Sequence, residues 1–326
     1  MHNLKDIFLY KLQGSANLSY TAAGAQTLVA SDLAEVMKGS SMAPDIQIEP
    51  IEIVAGGFDQ YPAVPGKEPA KGTLKFPINA ASSSGQTLPP WGKVLRGSCD
   101  FAVAETVGGS VPSNFSLTPI SNPTDGGHIW HYGGQASQQV LTLLSKFYNV
   151  KGSWKISIPT NKVPTIEITA TGAFYEEVDV TPLAATSVAA AKARKNPEAV
   201  KGATVSILGY PLYKLLSIEF EGGEAVVNRD DISESNGAGC TDITDRKIKF
   251  SLRCYADIRT MINPLFSLQT MEEGAISISW GTSGNVITIG GTYAQITSRD
   301  KSEENGITVF DIKGQMNRND FYIRIN

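Results

Sequence analysis

The sequence predicts a mainly β protein in which one unit occurs twice. Three observations point there. Short runs of alternating apolar residues recur between turn signals along most of the chain. Thirty-one glycines and 17 prolines make it turn-rich rather than helical. Two landmarks repeat at one spacing: Lys75-Phe76 is answered by Lys249-Phe250, and Pro90 by Pro264, each 174 residues on. Between the landmarks lies the same order of parts, an alternating strand, a connection and a short apolar helix opened by proline. The repeat is degenerate, which fits an old duplication or fusion rather than a regular solenoid.

The 326 residues leave room for two domains. A net charge of −4 argues against a nucleic-acid grip, which needs a basic face, but not against DNA passing close by. Cys99, Cys240 and Cys254 are odd in number and have no C-x-x-C spacing, so neither a disulfide framework nor a zinc site is signalled. A reduced place of synthesis is the simplest reading. The opening M-H-N-L-K-D-I-F-L-Y-K-L is interrupted by charges and lacks a small-residue cleavage site, so it does not read as a signal peptide. No run approaches the roughly 18 apolar residues of a membrane span.

Taken in order, residues 1–43 read as an N-terminal arm with a short apolar start at Ile7, Phe8 and Leu9. Within it, Leu28 to Met37 fits a brief helix or a strand. Residues 44–180 form the first unit. Ile46 and Ile48 alternate, Pro50 interrupts, and Ile51 and Ile53 resume on a shifted phase, the sign of a bulge or an edge strand. Gly56 to Gly72 is long for a hairpin loop, and long loops in compact domains are usually functional or disordered. The next strand puts Leu74, Phe76 and Ile78 on one face and Lys75 on the other.

Pro89-Pro90-Trp91 opens a helix, with the tryptophan anchoring it on the sheet. Phe115 to Ile120 and His128 to Tyr132 read as strands around N-P-T-D-G-G. Gln138 to Tyr148 is open between helix and strand. Ser153 to Gly172 gives the cleanest hairpin, Ile156 and Ile158 answering Ile166 and Ile168 across P-T-N-K-V-P. The Ala-rich stretch 181–206 is the linker, and 207–326 the second unit. There Leu215 to Phe220 precedes a long polar segment, Glu221 to Asp245, placed as Gly56 to Gly72 is in the first unit. Ile248, Phe250, Leu252 and Cys254 alternate after it, with Lys249 on the opposite face. Strands at Ala275 to Trp280, Asn285 to Ile289 and Gly306 to Gly314 follow, before the closing F-Y-I-R-I-N.

No catalytic constellation emerges. His128 and His131 are three apart on a strand and so point to opposite faces, which makes a shared metal a poor reading. H-E-x-x-H, G-x-S-x-G and a phosphate loop are missing, and V-P-G-K-E around Lys67 lacks the earlier glycine and the hydroxyl residue. The acidic cluster of Asp230, Asp231, Asp242 and Asp245 has no EF-hand spacing and reads as a solvated loop. The chain is therefore expected to be non-enzymatic, with no metal and no cofactor.

With these residues in view, the chain resembles the tail tube (major tail) proteins of long-tailed, siphophage-like bacteriophages. P-P-W-G-K-V-L-R-G-S-C-D-F-A-V-A-E-T, Pro89 to Thr106, is similar to the family pattern W-G-x-x-L-R-x-C-G-F. Phe115 to Ser121 matches the next strand, and the hairpin from Val150 matches the family's hairpin before its closing T-G. The second half matches more loosely, through L-S-I-E-F, I-T-D-R-K-I-K-F and the closing strands.

The resemblance implies duplicated β-sandwich or half-barrel units, each with a flanking helix, whose inner strands close a β-barrel in the oligomer. Two units per chain imply a trimeric ring with pseudo-sixfold symmetry, stacked into the tube through which DNA passes during ejection without being bound specifically. The implied partners are further copies of the chain and the tape-measure, tail terminator and baseplate proteins. The implied location is the virion tail, after synthesis in the host bacterial cytoplasm. The wall strands would carry Leu74, Lys75, Phe76, Ile78, Ile248, Lys249, Phe250 and Leu252, with the two lysines facing either the lumen or a neighbour. The two long segments would set ring stacking through Phe58, Tyr61, Lys67, Asn228, Asp231 and Asn236. Competing expectations are another tail or adaptor ring component, or a carbohydrate-binding β-sandwich presenting Trp91, Trp130 and Trp154 as a stacking platform.

Overall fold

The computed structural model describes residues 5–14, 18–50, 63–79, 88–108, 111–123, 125–135, 142–184, 187, 197–212, 214–256, 270–282 and 286–325. They are mainly β. Strand β1 (Lys5–Leu12) precedes a one-turn helix α1 (Tyr20–Gly24) and the short strands β2 (Leu33–Ala34), β3 (Ser41–Pro44) and β4 (Ile48–Glu49). The chain then runs through β5 (Val64–Pro65), β6 (Pro69–Pro77), helix α2 (Pro90–Ser98), β7 (Phe101–Gly108), β8 (Val111–Pro119) and β9 (Gly127–Gln135). The hairpin β10 (Thr142–Pro159) and β11 (Thr165–Val180) ends the first half. The second half holds β12 (Thr204–Ile207), β13 (Tyr210–Pro211), β14 (Leu215–Glu221), β15 (Ala225–Asp230), β16 (Ala238–Asp245) and β17 (Lys249–Tyr255). It closes with β18 (Glu273–Trp280), β19 (Ile287–Glu304), β20 (Ile307–Met316) and β21 (Tyr322–Ile325).

One order of neighbours occurs twice in the antiparallel pairing. In the first half it is β2–β1–β9–β10–β11–β6–β3. In the second it is β13–β12–β18–β19–β20–β17–β14. In each half a small two-stranded ribbon, β4–β5 or β15–β16, is inserted at the same point in the order. Gly172 lies opposite Ala70 of β6, and Gly314 opposite Phe250 of β17. Each glycine sits where its hairpin shifts register, next to Thr171 opposite Lys151 or Lys313 opposite Ser298, so the two occupy corresponding places. Both sites need glycine: a Cβ at Gly172 would meet the Tyr148 carbonyl at 2.9 Å, and one at Gly314 the Phe250 ring at 2.2 Å. The halves differ by the β7–β8 hairpin of the first and by β21 of the second. The counterpart of α2 expected at Pro264 lies outside the described residues.

The halves are joined by strands as well as by the chain. The far part of β10 pairs with β14, from Lys155 opposite Glu221 to Pro159 opposite Ser217. β21 pairs with both β19 and β8, setting Ile323 opposite Leu117. Phe321, just before β21, packs 4.7 Å from the Trp154 ring, 5.5 Å from Phe220 and 6.4 Å from Phe101, so residues of both halves fill one core.

Local sequence explains the elements. Pro90 at the first turn of α2 needs no N–H partner, and the buried Trp91, Val94 and Leu95 hold the helix on the sheet. The Trp91 indole donates to the Asn79 carbonyl at 3.0 Å, as an anchor should. Thr142 to Tyr148, open between helix and strand in the sequence, is strand, because its two edges pair with β9 and β11. Leu28 to Met37 holds a 3₁₀ turn (Ala30–Asp32) and the two residues of β2. The polar segment Glu221 to Asp245 is not a loop throughout: β15 and β16 form a ribbon turned between Asp231 and Gly237. Phe8, Leu9 and Tyr10 are all buried in β1, which pairs along β9.

Candidate functional site

The residues expected to form wall strands fall where their alternation puts them. Leu74 and Phe76 on β6, with Ile78 just beyond it, are buried in the common core, as are Ile248, Phe250 and Leu252 on and beside β17. Lys75 lies on the opposite face and sits 3.6 Å from Glu167, its cross-strand partner on β11. Lys249 is exposed, between Glu221 of β14 and Gln315 of β20. Both lysines therefore stand on outward faces of strands whose other faces build the core.

The two long segments come together. The second ribbon folds back over the β10–β11 hairpin, across the place where both strands change register near Gly172. The Asn228 side-chain amide donates to the Gly172 carbonyl at 3.0 Å. Asn236 is buried; its amide donates to the Phe174 carbonyl at 2.7 Å and to the Tyr148 hydroxyl at 3.1 Å. Lys67, from the first segment, pairs with Asp230 and donates to the Asn228 carbonyl at 2.8 Å. The Glu68 amide donates to the Asn236 carbonyl at 3.0 Å. Asp231 holds the turn by accepting from the Ser233 amide at 2.8 Å and its hydroxyl at 2.6 Å. Lys67, Asn228 and Asn236 thus make contacts within one chain, and Phe58 and Tyr61 lie outside the described residues.

A polar joint that the sequence reading did not single out lies at the root of this ribbon. Glu224 is buried and receives the Ser153 hydroxyl at 2.9 Å and the Arg246 guanidinium at 3.2 Å. Arg246 also donates to the carbonyls of Cys99 at 2.6 Å and Ile120 at 3.2 Å. Burial raises the Glu224 carboxyl above its usual range, and the facing guanidinium offsets part of that rise. A second buried pair joins Lys151 to Asp100 at 2.5 Å, with Lys151 also donating to the carbonyls of Gly97 and Asp125. Burial again raises Asp100, against the pull of Lys151. Both pairs are further hydrogen-bonded to backbone carbonyls and link strand ends to α2, so they read as structural joints. For Lys151 the signal is a lone lysine after the apolar Val150 in a strand pattern; Arg246, between Asp245 and Lys247, carries none.

The histidines take opposite faces of β9. His128 is buried and accepts from the Trp130 indole at 3.1 Å, while His131 stacks on Phe8. Burial, helped by Lys146 and Lys11, lowers His128 to about 4. Among the described residues no group of three His, Cys, Asp or Glu is placed to hold a metal, and no helix is long and apolar enough to cross a membrane. Trp91, Trp130 and Trp154 are buried, so they do not present a stacking platform to solvent.

These residues therefore present strand edges and ribbons, with the second half docked on the first through β14 and β15–β16. Compared with protein-family models and with curated proteins, the chain matches none.

Proposed function

We propose that the chain is a structural subunit of a phage tail tube, two sandwich-like units in tandem that assemble into rings and stacked tubes. One observation carries the reading most. The same strand order occurs twice, and the second copy joins the first by adding its β14 to the edge of β10. A unit that binds its own repeat through a sheet edge is suited to an assembly that continues the pattern from chain to chain. Three chains would supply six units, with inner strands closing a barrel around a lumen.

The net charge of −4 suits a lumen that lets double-stranded DNA slide, because phosphate contacts would retain it. In this reading the chain has no catalytic role. It is made in the host cytoplasm, resides in the virion tail, and meets the tape-measure, tail terminator and baseplate proteins at the tube's interior and ends. Lys75 and Lys249, on outward strand faces, look onto the lumen or a neighbouring subunit. The tip of the second ribbon, with Asp231, and the segment that carries Phe58 and Tyr61 set the contact with the adjacent ring.

Negative-stain electron microscopy of the purified protein tests this. Tubes or stacked rings are the expected result. Monodisperse single chains at all concentrations would overturn it.

A further inference from the structure

The shared strand order exposes one asymmetry between the halves. The far part of β10 is paired on both edges, by β11 on one side and by β14 on the other. The matching part of β19 is not. Its pairing with β18 ends at Gln295 and that with β21 at Gly290, while β20 runs along one edge as far as Glu304 opposite Ile307. Among the described residues, no strand lies along the second edge of Ser298 to Glu304. Ile156 and Ile158 are buried on β10, whereas Asp300, Lys301 and Glu303 are exposed on β19.

The correspondence can be counted from the two glycines. Gly172 matches Gly314, so Lys151 opposite Thr171 matches Ser298 opposite Lys313, and Lys155–Ser157 match Ser302–Glu304. On the donor side, Ala70 matches Phe250, so Met42 opposite Gly72 matches Ile218 opposite Leu252. β3 is thus the first half's version of the docked segment of β14. β14 is paired on both edges, by β10 and β17; β3, among the described residues, is paired only by β6.

We infer that β3 of one copy adds to the open edge of β19 in a second copy, repeating between chains the contact that β14 makes with β10 within the chain. This deepens the assembly reading above by naming the two edges that join. The backbone groups are oriented for it. Within the chain the Gly222 amide donates to the Trp154 carbonyl and the Thr160 amide to the Leu216 carbonyl, so even-numbered residues of β10 face β14. Trp154 and Ile156 match Lys301 and Glu303, whose N–H and C=O groups accordingly point along the open edge.

The ribbons repeat the asymmetry. The second ribbon covers Ala173 of β11, which is buried, but the matching Gln315 of β20 is exposed. The stem of the first ribbon carries Ile48 at 67% and Val64 at 49% exposure, apolar side chains that the same docking would place over β19–β20. Pro44 stands at the place of Phe220 and lacks an N–H, so the joint between chains has one donor fewer than the internal one. Because the two surfaces differ, the contact is head-to-tail and closes a ring when the rotation per chain divides the circle.

Two variants of the full chain test this. Glu303→Pro removes an outward N–H without touching the ladder to β20, and edge strands tolerate proline. Its expected result is an unchanged melting transition with loss of assemblies in sedimentation velocity, leaving the single chain. The pair Ala43→Cys and Glu304→Cys matches Glu219 and Ser157, which are direct cross-strand partners. Under oxidising conditions it is expected to give a ladder of chain-to-chain crosslinks that reductant removes. Glu303→Pro assembling as well as the parent, or the double-cysteine chain giving no crosslink, would overturn the inference. Should Glu303→Pro fail to fold, the crosslink alone decides. Tubes without crosslinks would leave the tube reading standing and sink this one; crosslinked rings that never stack would do the reverse.

Discussion

The Arg246 guanidinium, at the root of the second ribbon, donates at 2.6 Å to the carbonyl of Cys99, at the end of the first half's α2. It also donates to the Ile120 carbonyl and to the buried Glu224, so one side chain joins three segments. Arg246→Ala strands a buried carboxylate, and the expected loss is about 3–5 kcal/mol of unfolding free energy. Arg246→Lys keeps the charge but not the planar fork, and is expected to recover only part of it. Urea denaturation of the three proteins checks this; an unchanged midpoint for Arg246→Ala would show the joint to be dispensable.

Phe321 should matter to both halves at once. It packs against Trp154 and Phe101 from the first half and Phe220 from the second. Phe321→Ala opens a cavity in the common core, with an expected cost of about 3–5 kcal/mol. A single cooperative transition shifted to lower denaturant is the expected profile. Two separate transitions, only one of them shifted, would mean that the halves unfold independently.

Asn236 ties the second ribbon to β10 and β11. Asn236→Ala removes the hydrogen bonds to the Phe174 carbonyl and the Tyr148 hydroxyl, for about 1–3 kcal/mol. Hydrogen exchange should show amides of Ala238–Asp245 exchanging faster while those of Ser153–Pro159 keep their protection. Equal acceleration in both would place the effect in the core rather than in ribbon docking.

His128 gives the protein a pH dependence of known sign. Its ordinary value is 6.5 and burial takes it to about 4 in the folded chain. The unfolded chain therefore binds the proton first as pH falls. The stability is fully present above 6.5 and lost progressively between 6.5 and about 4, by up to about 3 kcal/mol. The buried carboxyls Asp100 and Glu224, both raised, contribute in the opposite direction as acid is added. The measurement is thus the difference between wild type and His128→Gln, in which the carboxyls cancel. Parallel stability–pH curves for the two would refute it.

Much of the fold was legible because strands with one buried face must alternate. Leu74, Phe76 and Ile78, the Ile156–Ile168 hairpin and the Pro90 helix all read directly. The second ribbon did not. β15–β16 is satisfied through Asn228, Asn236 and Asp231, so its polar, glycine-rich sequence carries the marks of a loop. β1 was missed as a sheet member because Phe8, Leu9 and Tyr10 are buried on both faces, which erases the period of two. The spacing of 174 links β6 and β17, which hold the same place in the two strand orders. Counted from Gly172 and Gly314, the register differs, with Phe250 answering Ala70 rather than Phe76.

The pairing of β10 with β14 has a kinetic meaning as well. Its two strands belong to one polypeptide, so they meet at an effective concentration on the order of millimolar, whatever the concentration of the protein. That contact forms during folding and is independent of dilution. A copy made as two separate half-chains would have to find it by collision. Tandem synthesis also frees the two halves to drift apart in sequence, since each always occupies its own position and never has to substitute for the other.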